Sequence, residues 1–465
     1  MTEKFENKIE NLFDPVASKA ERYAKGTAIR KITPRSIHQE WKPPENRKDP
    51  VEILIETSIG RVESLLPIRY SRMMESPFSF FRGAAAIMAA DLAQTPNTGI
   101  HLQLCGDCHL MNFGGFATPE RKLVFDINDF DETFPGPWEW DLKRLSASFA
   151  IAGRWRKFSN KNCKEFAWHV ADSYKRHMLE YSKLSALQIW YADIDLAELI
   201  ERNEDEELKE FQQKRIKKAS EYTAHEKEFA KLTYQDGARA KIKDDPPLIF
   251  HPSGEEGKLI MREVETAHKQ YIESLSHEKQ VLLSRYSLHD VAMKVVGVGS
   301  VGTTCGISLL MSATGEPIFL QFKEARQSVL ESNVKIENKY KHQGERIVMG
   351  QKLMQSASDM FLGWTTDQDK FFYVRQLRDA KVKPVIEIMK ARNMADYAKA
   401  CGWALARAHA RTGDPSVLSG YMGNSNEFAN AIAKFSIAYA DQNEADYTKM
   451  LEAIKEGRLP ISTEV

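Results

Sequence analysis

Between Val295 and Lys323 the chain alternates β-like runs with turns in an order that leaves few folds open. Val295-Val296 leads into a G-x-G-x-x-G spacing at Gly297, Gly299 and Gly302. A dinucleotide-binding turn of this spacing would run from a strand into a helix. Here Thr303 to Leu310 follows, a β-branched and apolar run that reads as a strand. Thr314-Gly315-Glu316-Pro317 supplies a turn, and Ile318 to Phe322 is a third strand ending at Lys323. Glycines let backbone N–H groups approach phosphate closely. Gly297, Gly299, Ser300 and Gly302 are therefore the expected phosphate cradle, and Lys323 the group that pairs with phosphate oxygens. The plainer alternative is a glycine-bearing hairpin with a surface lysine.

Strand, glycine turn, strand, turn, strand and lysine is the layout of a protein-kinase nucleotide lobe. Such a lysine needs a carboxylate to hold it. Glu331, on a helix expected to start near Ser328, ranks first, with Glu337 and Glu345 as rivals. Phe371 to Leu377 reads as a strand that would lead to the hinge between lobes.

A second constellation lies far upstream. In Gly106-Asp107-Cys108-His109-Leu110-Met111-Asn112, an Asp stands five positions before an Asn. In kinase catalytic loops that spacing places a carboxylate on the acceptor hydroxyl and an amide oxygen on magnesium. Asp107 is the expected base and Asn112 a metal ligand. Phe125-Asp126-Ile127-Asn128-Asp129-Phe130-Asp131-Glu132 clusters carboxylates at a strand end, where a hard divalent cation fits. Asp129 matches the metal-binding position best, and Asp131 and Asp126 are alternatives; an acidic surface turn is the plain reading. Asp141 is expected to brace the catalytic-loop backbone, or simply to cap a helix. Arg82 would clamp a phosphate or, by preference, fix the loop through backbone carbonyls. His409 reads as a structural histidine on a core helix.

Cys105-Gly106-Asp107-Cys108-His109 also fits the C-x-x-C-H pattern of c-type haem attachment. No export signal accompanies it, and the glycines after Asn112 make a poor start for the helix a redox pair would want. Two small buried thiols are expected. The five cysteines are sparse, which suits a reducing compartment.

Lys+Arg and Asp+Glu both number 65, so no whole-protein field steers the chain toward nucleic acid or an acidic membrane. The longest small-apolar stretch, Gly83 to Ala93, is too short to span a bilayer and contains Asp91. A cytoplasmic location is expected. At 465 residues the chain is too long for one core. The expected division is an N-terminal arm over 1–50, a catalytic-loop lobe with a helical insertion over 51–289, a β-rich nucleotide lobe over 290–380, and a C-terminal helical segment over 381–465 that packs on the catalytic lobe. Locally, Ser76 should cap a helix with Pro77 at its first position, running from Phe78 to Leu92. A long helical region is expected from Trp140 to about Asp236.

Ser76-Pro77-Phe78 to Phe81-Arg82-Gly83, Gly106-Asp107 with His109 and Asn112-Phe113-Gly114, Asn128 to Glu132, Lys294 to Thr303, Gln321 to Ala325, and Ala404 to Ala410 with Gly413-Asp414 together resemble an uncharacterised bacterial family. It is known only as a domain of unknown function, number twenty-two fifty-two. More distantly, Gly106-Asp107-x-His109-x-x-Asn112 and Asp141-Leu142 are similar to aminoglycoside phosphotransferases and related small-molecule kinases. That similarity implies an α+β, protein-kinase-like, two-lobed fold with extra helices, using ATP and magnesium. Those enzymes carry the nucleotide lobe first; here it comes second, which implies a circularly permuted topology. The expected activity is ATP- and Mg-dependent phosphotransfer to a small molecule or protein. The alternatives are a catalytically inactive nucleotide-binding or scaffold protein of the same fold, and an AMP transferase.

Overall fold

A computed structural model of the chain describes residues 16–462 apart from 203, 221–228, 238, 247, 253, 296, 300 and 378–380. Ser300, one of the expected cradle residues, lies outside the described residues. The architecture is mixed α+β. None of the described helices is long and apolar enough to cross a membrane.

The arm contributes helix α1 (Lys19–Ile29), started by a Ser18–Glu21 capping box. It lies against α15 (Pro415–Met422) so closely that a Cβ on Gly26 would stand 1.9 Å from the Val417 carbonyl oxygen. Helices α2 (Pro50–Glu56) and α3 (Leu66–Met74) follow. Ser76 caps as expected, its Oγ accepting from Ser79 N at 3.0 Å. The helix beyond it is not continuous. It divides into α4 (Pro77–Gly83) and α5 (Ala85–Ala93) at Ala84, whose φ of −112° and ψ of 33° lie outside the helical region.

Strand β1 (His101–Leu104) pairs with β4 (Phe134–Pro137), and β2 (Phe113–Ala117) pairs with β3 (Leu123–Ile127). The two ladders bracket the Gly-Asp-Cys-His loop on one side and the acidic run on the other. Helix α6 (Glu139–Trp155) is buried along almost its whole length and packs against α7 (Asn160–Tyr181). With α14 (Ala391–Thr412) and α16 (Glu427–Lys455) these form the helical core, where Trp138 stacks on Tyr174. The C-terminal helices thus pack on the elements around the Gly-Asp-Cys-His loop.

The region expected to stay helical to Asp236 is shorter and more broken. Helices α8 (Ala186–Tyr191), α9 (Leu196–Glu201) and α10 (Glu206–Ser220) lead to a hairpin of β5 (Thr233–Asp236) and β6 (Arg239–Ile242). Gly237 turns it at φ +62°, which disfavours a continued helix.

Six antiparallel strands make the large sheet. They are β7 (Ile249–Phe250), β8 (Tyr286–Lys294), β9 (Cys305–Ser312), β10 (Pro317–Glu324), β11 (Gly363–Asp367) and β12 (Lys370–Gln376), in the order β11-β12-β10-β9-β8-β7. Helices α11 (Gly254–Glu273) and α12 (His277–Leu283) stand between β7 and β8, and α11 lies against β11. Register places Lys323 opposite Cys305 on one side and Tyr373 on the other. The β5–β6 hairpin covers part of one face, where Ala240 and Ile242 meet Ile307, Leu309 and Phe319.

After β10 the expected helix from Ser328 is absent. The chain makes only a 3₁₀ turn at Glu331–Asn333, and helix α13 begins at Gln343 and ends at Met354. Side-chain bonds explain this. Ser328 Oγ donates to the Glu132 carbonyl at 2.8 Å, and Val329 N donates to Glu132 Oε2 at 2.8 Å, pinning the segment to the acidic loop.

Candidate active site

The Gly-Asp-Cys-His loop is held from beneath by helix α6. Asp141, in the first turn of that helix, accepts from Cys105 N at 2.8 Å and Gly106 N at 3.0 Å. Buried His409 stands 3.3 Å from the same carboxylate through Nε2 and 2.9 Å from the Tyr174 phenol OH through Nδ1. Both residues are structural, as the sequence suggested. Gly106 adopts φ +86°, and a Cβ there would lie 2.2 Å from the Glu132 carbonyl oxygen, so the loop requires glycine.

Asp107 projects from this loop onto Arg144, one turn along α6 from Asp141. Arg144 Nε lies 2.7 Å from Asp107 Oδ1, and Arg144 Nη2 donates to the Phe81 carbonyl at 3.0 Å. Arg144, not Arg82, therefore fixes the loop. Burial raises the Asp107 pKa, against the pull of Arg144 and then Arg82. His109, 3.8 Å from Asp107, is held neutral by burial and by the same two arginines. Asn112 Nδ2 donates to the Asp107 carbonyl at 2.8 Å, which leaves its amide oxygen as the atom available to a cation.

Three carboxylates of the acidic run have different fates. Asp126 is fully buried against Arg407 at 2.9 Å and also accepts from Ser356, so it is committed to the core. Asp129 accepts from Asp131 N at 3.2 Å, and burial followed by the neighbouring Asp131 charge raises its pKa. Asp131 accepts from Tyr373 OH at 2.7 Å and forms an ion pair with Lys323 Nζ. Burial opposes ionisation of Asp131, but Lys323 prevails and holds its pKa down. Asp129 and Asn112 are thus the residues that would hold a magnesium ion: both line one cavity, and among the described residues the Asp129 carboxylate has no cation in contact and the Asn112 amide oxygen no hydrogen bond. Asp131 would first have to release a partner.

The expected Lys323–Glu331 pair does not form. Glu331 Oε2 instead accepts from Asn338 Nδ2 at 3.3 Å, and Lys323 turns to Asp131. Without a helix at Ser328 no glutamate is presented to the lysine. Helix α13 supports the site differently: buried Arg346 donates to the carbonyls of Asp131 at 3.0 Å, Arg326 at 2.8 Å and Thr133.

The glycine turn meets this loop across one cavity of about 450 Å³. Gly297 and Gly299 line it together with Asp107, Asn112, Asp129 and Asp131. Gly297 and Gly302 have φ of +73° and +87°, conformations that select glycine. Gly302 lies away from the cavity lining, its carbonyl accepting from Val62 N at 2.8 Å. Arg72 Nη1 donates to the Gly297 carbonyl, and Arg61 Nη1 donates to the Val301 carbonyl at 2.7 Å. The turn is thereby docked on the segment that precedes the Gly-Asp-Cys-His loop.

The family model described as "Uncharacterized protein conserved in bacteria (DUF2252)" matches residues 61–453. The chain belongs to the DUF2252 family. No curated protein and no solved structure matches it. The matched span of this DUF2252 chain takes in both walls of the cavity, from Arg61 through the acidic run to the glycine turn.

Cys105 and Cys108 are buried and free, with Asp141 near both. This is only a geometric grouping, because the Asp141 oxygens already accept backbone N–H groups. Arg144 and Tyr373 escaped the sequence reading. Arg144 had a usable signal, three positions after Asp141 and so on the same helix face. Tyr373 had none until strand register placed it beside Lys323.

Proposed function

We propose that the protein is an ATP- and magnesium-dependent phosphotransferase with a kinase-like, circularly permuted arrangement, acting on a small-molecule or protein acceptor. One observation carries this reading: the glycine turn and the Gly-Asp-Cys-His loop, far apart in sequence, line the same cavity with Asn112 and Asp129. The order of elements supports it, with a glycine turn between two strands, a lysine on the third, then a helix and two further strands. In this reading Asp129 and Asn112 hold magnesium, and bound magnesium would neutralise phosphate charge. Asp107 orients the acceptor hydroxyl and takes its proton. The glycine turn positions the phosphates, and Lys323 reaches them after leaving Asp131. Catalysis would rest on positioning and charge stabilisation.

The buried Lys323–Asp131–Tyr373 cluster favours a second reading, a nucleotide-binding or scaffold protein without turnover. Transfer of AMP instead of phosphate would use the same groups. The test is calorimetric titration of the full chain with ATP, with and without magnesium, followed by product analysis. Magnesium-dependent binding that is lost in Asp129→Asn, at unchanged melting temperature, is expected. Folded protein with no affinity for any nucleotide would sink the proposal. Binding without turnover selects the scaffold reading, and released pyrophosphate selects AMP transfer.

A further inference from the structure

Several buried or half-buried arginines elsewhere in the fold have anionic partners. Arg144 has Asp107, Arg407 has Asp126, and Arg47 has both Asp91 and Asp446. The cavity between the glycine turn and the catalytic loop is different. Arg61, Arg69, Arg82 and Arg326 all line it, and none is ion-paired to a carboxylate among the described residues.

Their hydrogen bonds go to neutral groups. Arg61 Nε and Arg326 Nη1 both donate to the Thr57 carbonyl, at 2.9 and 3.2 Å. Arg69 donates to Ser58 Oγ and the Gly83 carbonyl, each at 3.2 Å. Its Nε is buried without a partner. The Arg82 side chain has no hydrogen bond among the described residues, and its Nε is likewise buried and unpartnered.

Apart from Asp129, the carboxylates on the same cavity are committed elsewhere. Asp107 is held by Arg144 and Asp131 by Lys323, Glu132 accepts from Val329 N, and Glu324 accepts from Thr304 N at 2.8 Å. Clustered, partly buried cations without an ion-paired carboxylate are costly. The strain shows at Arg61, whose pKa falls to about 9 through burial and then repulsion by Arg69 and Arg326. A multiply charged anion would relieve it, and planar guanidinium groups suit phosphate oxygens.

We infer that Arg61, Arg69, Arg82 and Arg326 form a binding wall for a phosphate-bearing ligand in the cleft between the glycine turn and the catalytic loop. The inference rests on the phosphotransfer reading only for its choice of phosphate over another polyanion. The phosphate belongs either to the nucleotide's own polyphosphate tail or to a phosphorylated acceptor.

The experiment is calorimetric titration of the full chain with sodium tripolyphosphate, inorganic phosphate and Mg-ATP, repeated with Arg82→Gln and Arg326→Gln. The Arg82 side chain makes no hydrogen bond among the described residues, so Arg82→Gln should fold normally. Tripolyphosphate binding that weakens about tenfold or more in each variant is expected, from the loss of a charge-assisted contact. Competition between tripolyphosphate and Mg-ATP assigns the wall to the nucleotide tail. Simultaneous binding assigns it to a phosphorylated acceptor. Undiminished anion binding in both folded variants, or no anion binding by the parent chain, overturns the inference. Tripolyphosphate binding without Mg-ATP binding would leave the arginine wall standing and remove the phosphotransfer reading. Mg-ATP binding unaffected by either variant, with no tripolyphosphate binding, would do the reverse.

Discussion

Lys323 Nζ is ion-paired to Asp131, a residue of the acidic run, and Tyr373 OH completes the cluster by donating to the other Asp131 oxygen at 2.7 Å. The lysine that would serve phosphates is thus tied to the opposite wall of the cleft. Breaking a buried pair from one side leaves an uncompensated charge and costs roughly 3–5 kcal/mol. Lys323→Met and Asp131→Asn should each destabilise the protein by that order. The double variant should cost clearly less than the sum, because it strands no charge. Urea denaturation of all four proteins checks this, and strict additivity would show the pair to be uncoupled.

Asp141 carries the Gly-Asp-Cys-His loop on two backbone N–H groups. Hydrogen bonds to a charged acceptor contribute about 1.5–3 kcal/mol each. Asp141→Ala should therefore lower stability by several kcal/mol, whereas Asp195→Ala, at an exposed helix cap, should cost about 1 kcal/mol. Parallel denaturant titrations compare them, and equal losses would remove Asp141 from its bracing role.

Gly106 and Gly315 separate steric clash from backbone strain. Both have positive φ, +86° and +82°, but a Cβ on Gly106 would strike the Glu132 carbonyl while nothing lies within 4 Å of one on Gly315. Gly315→Ala should cost only the conformational term, about 1–2 kcal/mol. Gly106→Ala should cost well beyond that or prevent folding. Melting temperatures of the two variants decide the point, and similar values would contradict the close approach.

His251 ties the edge of the sheet. Its ring nitrogens stand 2.7 Å from Asp244 and 3.1 Å from Asp290, and the Asp290 bond is the main cause of its raised pKa. The protonated form is favoured in the fold, so its contribution is complete below the unfolded pKa of about 6.5. It is lost as pH rises through the higher folded value. The protein should lose some stability as pH rises from about 6.5 through that higher value. His251→Gln should flatten that slope. Denaturation midpoints across this range test it, and an unchanged slope in the variant would exclude His251 as the source.

Much of the local plan was legible from the chain alone. The Ser76 cap, the glycine turn between two strands and the strand bearing Lys323 all depend on near neighbours and on short-range periodicity. The helix expected at Ser328 failed for a non-local reason. Glu132, distant in sequence, captures the Val329 N–H, and no local propensity encodes that bond. The break at Ala84 and the β5–β6 hairpin within an expected helical region also went unread.

The sequence by itself determined which residue types were available: glycines that can turn, a lysine at a strand end, an Asp and an Asn at fixed spacing, and carboxylates after a strand. Only the tertiary structure decided how they combine. It gave Lys323 to Asp131, Asp126 to Arg407 and Asp107 to Arg144, and it gathered on one cavity four arginines that have no ion-paired carboxylate among the described residues. The physical reason is that a buried charge takes whichever partner packing brings within reach, and that depends on segments separated by most of the chain.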